Sequence, residues 1–257
     1  KGESKMSTSF SVSDLSIEVT RRCNMRCDHC LRGNAENLDI NFEYIRNMIS
    51  ALDRIGCITF TGGEPSLNIA AIRFTLQEIS RQGKTFVSFY VVTNGLENQS
   101  ELAIALLEAY GQAEYKEGCG VSLSIDMFHA AHGTPNELVR GLAFYSSDKE
   151  HNLADDNLAW VISTGKANDN GFGEQVDTKD YNFPAPENVQ ETAPDDPNRS
   201  YELPMLYLSA TGRVYPEANA TYRDADDGTM QSMDCTTLEN FTKDLNAWAD
   251  GKFREQS

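Results

Sequence analysis

No run of about eighteen apolar residues occurs in this sequence, so a transmembrane helix is not expected. The N-terminal Lys1-Gly2-Glu3-Ser4-Lys5-Met6 lacks the apolar core of a secretory signal, and residues 1–5 read as a cloning scar ahead of a native Met6. Positive charge is scarce. The 22 Lys and Arg stand against 39 Asp and Glu, a formal charge of −17, and no basic run of five or more is present. Non-specific nucleic-acid binding needs a positive face that neutralises phosphates, so this balance argues against a nucleic-acid partner. There is no repeat of fixed period. Cysteine is confined to six positions, three of them clustered, which in 257 residues is not a disulfide framework and fits a reducing cytoplasm. The length suffices for one large α/β domain with a substantial core.

Leu15–Thr20 alternates apolar and polar residues at period two, as a half-buried strand does. Phe42, Ile45, Ile49, Leu52 and Ile55 then recur at helical spacing, with Asp39 or Asn41 as N-cap. Further strands are expected at Cys57–Thr61, Phe86–Val92, Val121–Ile125 and Leu158–Ser163. Further helices are expected after Asn68, after Ser100, from Thr134 through Tyr145, and from Thr236 through Trp248. Residues 166–200 are dense in Asn, Asp, Gly and Pro and read as a long polar loop or lid. Met205–Ser209 and Arg213–Tyr215 read as a hairpin about Gly212. Strand and helix alternate five times, which implies a parallel sheet with right-handed crossovers. Cys23–Cys30, Gly62–Pro65, Thr93–Gly95, Asp126 and Gly165 each fall at a strand's C-terminal end, where the sites of such folds lie.

The chemistry is carried by Cys23-Asn24-Met25-Arg26-Cys27-Asp28-His29-Cys30, a C-x3-C-x2-C triplet following the first strand. Three thiolates on so short a loop can converge on one soft metal centre. Cys57, Cys119 and Cys235 are scattered singly, so no fourth sulfur ligand is near. The set reads as a [4Fe–4S] cluster with one iron open, against a zinc site completed by a distant His or Cys. With Gly62-Gly63-Glu64-Pro65 about thirty residues on, the triplet resembles the radical S-adenosylmethionine (SAM) enzymes.

That resemblance implies a partial (β/α)6 TIM-like barrel with a short C-terminal β-hairpin and helix. Its divisions are a tail at 1–13, a core at 14–165, the loop at 166–200, and a C-terminal part at 201–257 that completes or caps the barrel. It also implies that Cys23, Cys27 and Cys30 hold one cluster and that the open iron binds SAM. Gly62, Gly63, Glu64 and Pro65 receive the methionine amino group. His29 borders the adenine, Thr93, Asn94, Ser124 and Asp126 contact ribose and carboxylate, and Gly165 passes the adenine. Asp126, His129 and His132 are candidates for substrate binding or proton relay. The solvent-exposed polar loop stays open as their alternative.

The expected activity is reductive cleavage of SAM to a 5′-deoxyadenosyl radical that abstracts hydrogen from a substrate. The electron comes from an external one-electron donor of flavodoxin or ferredoxin type. A peptide or protein side chain is the first expectation for the substrate, resting on residues 207–222 and the lid-like segment. A nucleotide or other small metabolite, as in the viperin-like branch, is the second. A non-enzymatic iron–sulfur sensor or electron carrier is the rival of a different class.

Overall fold

The computed structural model describes residues 8–151, 158, 160–173, 181–189, 192 and 198–253. Strand β1 (Thr8–Thr20) lies mid-sheet, with β2 (Arg54–Gly62) and β5 (Arg199–Leu208) parallel to it on either side. Beyond β2 come β3 (Phe86–Thr93) and β4 (Gly120–Leu123), also parallel. Beyond β5, β6 (Arg213–Tyr215) and β7 (Met233–Asp234) run antiparallel. The order is β4-β3-β2-β1-β5-β6-β7 and the sheet does not close. This is an open, partial TIM-like α/β barrel.

Leu15, Ile17 and Val19 of β1 are fully buried in the main core with Ile45, Met48 and Ile49 of α1 (Phe42–Ala51). The alternating partners Ser16, Glu18 and Thr20 are buried as well, at 5, 0 and 0% exposure. The polar face of β1 therefore points into the protein rather than into water. Asn41 caps α1 by accepting from Glu43 N, and Asn68 caps α2 (Ile69–Arg81) by accepting from Ala71 N. Helix α3 (Gln99–Gln112) starts after Asn98 at φ 51°, so Ser100 is inside the helix rather than its cap. Helix α7 (Leu238–Ala249) is capped by Thr237, one residue after the expected Thr236.

Several expectations give way to tertiary pairing. Strand β1 starts at Thr8, so residues 8–13 are sheet rather than tail; residues 1–7 lie outside the described residues. The helix expected over 134–145 shrinks to a 3-10 turn at Glu137–Gly141. After it the chain is drawn beside β4, with Val121 N donating to Phe144 O and Ser146 N to Val121 O. The strand expected at 158–163 does not form among the described residues; Val161 N closes a turn onto Leu158 O, and Ala159 is outside them. The chain at 145–150 bridges onto the β4 side, and β5 takes the second edge of β1. The C-terminal part thus supplies a strand beside β1 as well as the β5–β6 hairpin. Within 166–200 the described residues include helix α5 (Lys166–Asp169) and a 3-10 turn at Pro186–Asn188, while 174–180, 190, 191 and 193–197 lie outside them.

Beneath the C-terminal end of β1 lies a charged knot. Arg21, 1% exposed, donates to Glu18 at 3.2 Å, to Glu36 at 2.9 Å and to Asp226 at 2.7 and 3.0 Å. Its guanidinium covers the ring of Tyr222 at 4.5 Å, tying β1 to α6 (Tyr222–Asp226). Removing one partner of a buried ion pair strands the others. Arg21→Met should therefore cost about 3–5 kcal/mol of folding stability, read as a lowered urea midpoint.

Candidate active site

The loop after β1 carries the three cysteines, and its root is held from several sides. Thr20 Oγ1 donates to Asp39 Oδ1 at 2.6 Å, and Arg22 binds the same carboxylate through two nitrogens at 2.9 Å. The Gly62–Pro65 turn after β2 is laced to that root by backbone: Gly63 N donates to Thr20 O and Glu64 N to Arg22 O, both at 2.8 Å. A Cβ on Gly62 would fall 2.0 Å from Thr20 O, and one on Gly63 2.2 Å from Arg22 O. The glycines are thus required by the approach of one loop to another. The expectation that they make room for a ligand is replaced by this cause.

Glu64 is 2% exposed and turned inward. Its Oε1 accepts from Ser66 N at 3.0 Å and Thr93 Oγ1 at 2.7 Å, and its Oε2 from Asn94 N at 2.8 Å. Burial pushes its pKa up, and these donors, Asn94 N–H first, oppose the push. With two lone-pair sites on each oxygen, Oε2 keeps one for a further donor. Asn94 also donates to Asn24 Oδ1 at 2.7 Å, so the ends of β1, β2 and β3 are joined in one polar chain.

Around these loops opens a cavity of about 490 Å³. Cys23, Cys27 and Cys30 line it, with Gly62, Gly63, Glu64, Pro65, Asn94, Ser124, His29 and His129. Thr93 does not line it; its hydroxyl supports Glu64 from behind. Asp126 is 2% exposed and also behind the wall. It caps the short α4 (Met127–Ala130) and its Oδ2 meets His129 Nδ1 at 2.6 Å. Burial disfavours the Asp126 charge, but the His129 hydrogen bond and charge prevail and hold the carboxyl below its ordinary value. His132 is exposed and away from the cavity, and the structure does not bring it to the site. Gly165 is not in this cavity either. It lines an outer groove at φ 60°, where a Cβ would lie 2.3 Å from Leu31 O, and Lys166 N donates to Cys30 O at 3.0 Å. Its position braces the cysteine loop, in place of the expected run past an adenine.

The donor set fits a multi-iron cluster. Cys57, Cys119 and Cys235 lie away from this cavity. Thiolates on one zinc at about 2.3 Å would sit about 3.8 Å apart. Among the described residues, the potential donor atoms that lie within 4.8 Å of one another belong to His29, Asp126 and His129, not to the three cysteines. In that trio Asp126 and His129 already satisfy each other, and His29 stacks on Phe128 at 4.3 Å between ring centroids. Burial lowers the His29 pKa to about 4, only partly countered by Asp126, so the ring is neutral at pH 7.

Sequence reasoning missed Arg26, Arg32, Tyr90, Lys149, Lys166, Asn219 and Tyr222, which also line the cavity. Tyr90 and Val92 share a face of β3 and were recoverable from its alternation. The others come from loops and from the first residues of the short α5 and α6, with no periodic signal.

Residues 17–133 match the family model described as the Radical SAM superfamily. A probable GTP 3′,8-cyclase of Archaeoglobus fulgidus is 32% identical over 126 residues, 46% of this chain and 37% of that protein. An uncharacterized protein of Methanocaldococcus jannaschii is 43% identical over 64 residues, 24% of this chain and 22% of that protein. The chain thus spans well under half the length of these curated relatives. Among solved structures, BtrN in complex with AdoMet and 2-DOIA is similar with a TM-score of 0.46 and 18% identity, covering 95% of this chain and 84% of that one. Streptococcus suis SuiB bound to precursor peptide SuiA gives 0.46 and 12%, covering 95% and 66%.

Two outcomes follow from the geometry. Burial, then the neighbouring Cys23 and Cys30, push the Cys27 thiol of the metal-free protein up to about 12. Iodoacetamide labelling of Cys27, followed by mass spectrometry, should stay slow at pH 8 and accelerate as pH rises toward that value. Gly63→Ala should force the two loops apart and lower iron incorporation on reconstitution, seen as reduced iron per chain beside a preserved far-UV spectrum.

Proposed function

We propose that the chain, whose residues 17–133 match the Radical SAM superfamily model, is an enzyme that cleaves SAM reductively at one [4Fe–4S] cluster and abstracts hydrogen from a substrate held in the cavity. The observation that carries the reading is the meeting of three thiols with the Gly62–Pro65 turn around one chamber. Cluster and SAM, when bound, supply one-electron scission of the sulfonium, giving methionine and a 5′-deoxyadenosyl radical. Every other part belongs to the chain.

Cys23, Cys27 and Cys30 are the residues that would hold the cluster. Glu64 offers its remaining lone pair to the ammonium of SAM, and its three internal donors fix the carboxylate in place. Asn94 and Ser124 line the wall beside it and take ribose and carboxylate. The neutral ring of His29 borders the adenine. Asp126 fixes the tautomer of His129, leaving Nε2 as the nitrogen available to hold or move a proton at the substrate. The electron is delivered by an external carrier of flavodoxin or ferredoxin type. SAM's adenosyl group and the reacting part of the substrate share about 490 Å³, so what enters is one side chain of a peptide or a small metabolite.

Anaerobic reconstitution should load about four irons per chain and yield 5′-deoxyadenosine from SAM and dithionite, and Cys27→Ala should abolish the product. No 5′-deoxyadenosine from protein with an intact cluster would overturn the reading, and about eight irons would overturn the single cluster. A sensor or electron carrier with every iron ligated by protein would show a cluster EPR signal indifferent to SAM. The proposed enzyme should show one that shifts when SAM is added.

A further inference from the structure

The cavity inverts the charge of the chain around it. Across the sequence Asp and Glu outnumber Lys and Arg 39 to 22, yet four basic side chains, Arg26, Arg32, Lys149 and Lys166, line the cavity beside a single carboxylate. That carboxylate, Glu64, is occupied by three donors of its own. SAM would not quench the excess, since its one carboxylate comes with a sulfonium and an ammonium.

Among the described residues, Arg26, Arg32 and Lys149 are in no ion pair; Lys166 stands 3.6 Å from Asp28 and donates to Arg26 O at 3.2 Å. Arg32 is 9% exposed and pre-positioned: Nη1 donates to Ala220 O at 2.6 Å, and the guanidinium lies 4.6 Å over the ring of Tyr207. The groups facing it from below are Glu18, itself held by Arg21 and Ala210 N, and the Tyr207 ring. Beside Arg32 sits a second, independent sign. Tyr222 is 5% exposed and lines the same cavity, and its hydroxyl is buried with no hydrogen-bond partner. A buried hydroxyl without a partner is destabilising, a cost that a ligand acceptor removes.

We propose that the Arg32–Tyr222 part of the cavity, together with Lys149 of the same cavity, is the subsite for an anionic group of the substrate, a phosphate or a carboxylate. The inference rests on the cavity being the substrate chamber of the reading above, and it narrows that substrate to one carrying such a group. A guanidinium fork and a phenol supply directed donors, and the lysines supply charge.

The test is calorimetric binding to reconstituted holoenzyme saturated with SAM and kept free of reductant, with pyrophosphate, malonate and spermidine as probes. Pyrophosphate or malonate should bind and spermidine should not; whichever anion binds more tightly identifies a phosphate- or carboxylate-bearing substrate. Lys149→Gln, at an exposed position, and Tyr222→Phe, which deletes one oxygen, should each weaken the preferred anion about ten-fold. Unchanged affinity in both variants, failure of both anions to bind, or tighter uptake of spermidine overturns the inference. Binding is scored without SAM cleavage, so the two readings fail separately. Anion binding that follows the variants, with no 5′-deoxyadenosine on reduction, defeats the radical reading alone. Cleavage without anion binding defeats this one alone.

Discussion

The joint between the root of the cysteine loop and the turn after β2 governs the rest of the site. Two backbone hydrogen bonds of 2.8 Å, from Gly63 N to Thr20 O and from Glu64 N to Arg22 O, bring the ends of neighbouring parallel strands closer than any side chain on those glycines would permit. Through Glu64 the joint extends to Thr93 and Asn94, and through Asn94 back to Asn24. The thiols are therefore carried on a loop braced at its base, and only the outer part of that loop can adjust to what it holds. Preorganisation of this kind matters most for a reaction whose reactive species must be kept from water and from unintended targets.

Much of this was legible in the sequence. The order of strands and helices through Val121–Leu123 followed from periodicity and caps, and the placement of the motifs at strand ends followed from the topology. Asn41 and Asn68 are caps as their side chains suggested. What failed did so for tertiary reasons. A helical pattern over 134–145 lost to pairing with β4, and a strand-like run at 158–163 gave way to a turn closed by Val161 N on Leu158 O. The alternation of β1 was read as one wet and one dry face, whereas Ser16, Glu18 and Thr20 are all buried. Period two reports the alternation of chemistry, not where water is.

Within the site, the motif residues separate into those that face the chamber and those that support it. Asn94, Ser124, His29 and His129 line it; Thr93 and Asp126 stand behind them, each hydrogen-bonded to a side chain that does. His132 and Gly165 lie elsewhere, one on an exposed turn and the other against the cysteine loop. The cations of the wall were invisible to composition, because four basic side chains beside one carboxylate vanish in a total of −17.

The pairing of β1 with β5 has a consequence for how the chain reaches this state. Thr8 meets Arg199 and Ile17 meets Leu208, so the central strand acquires its second neighbour from roughly 190 residues downstream. Until that segment arrives, one long edge of the central strand is unpaired, a template for the wrong partner and a reason for slow maturation. A chain interrupted before β5 would thus offer its cysteines on a scaffold open to aggregation.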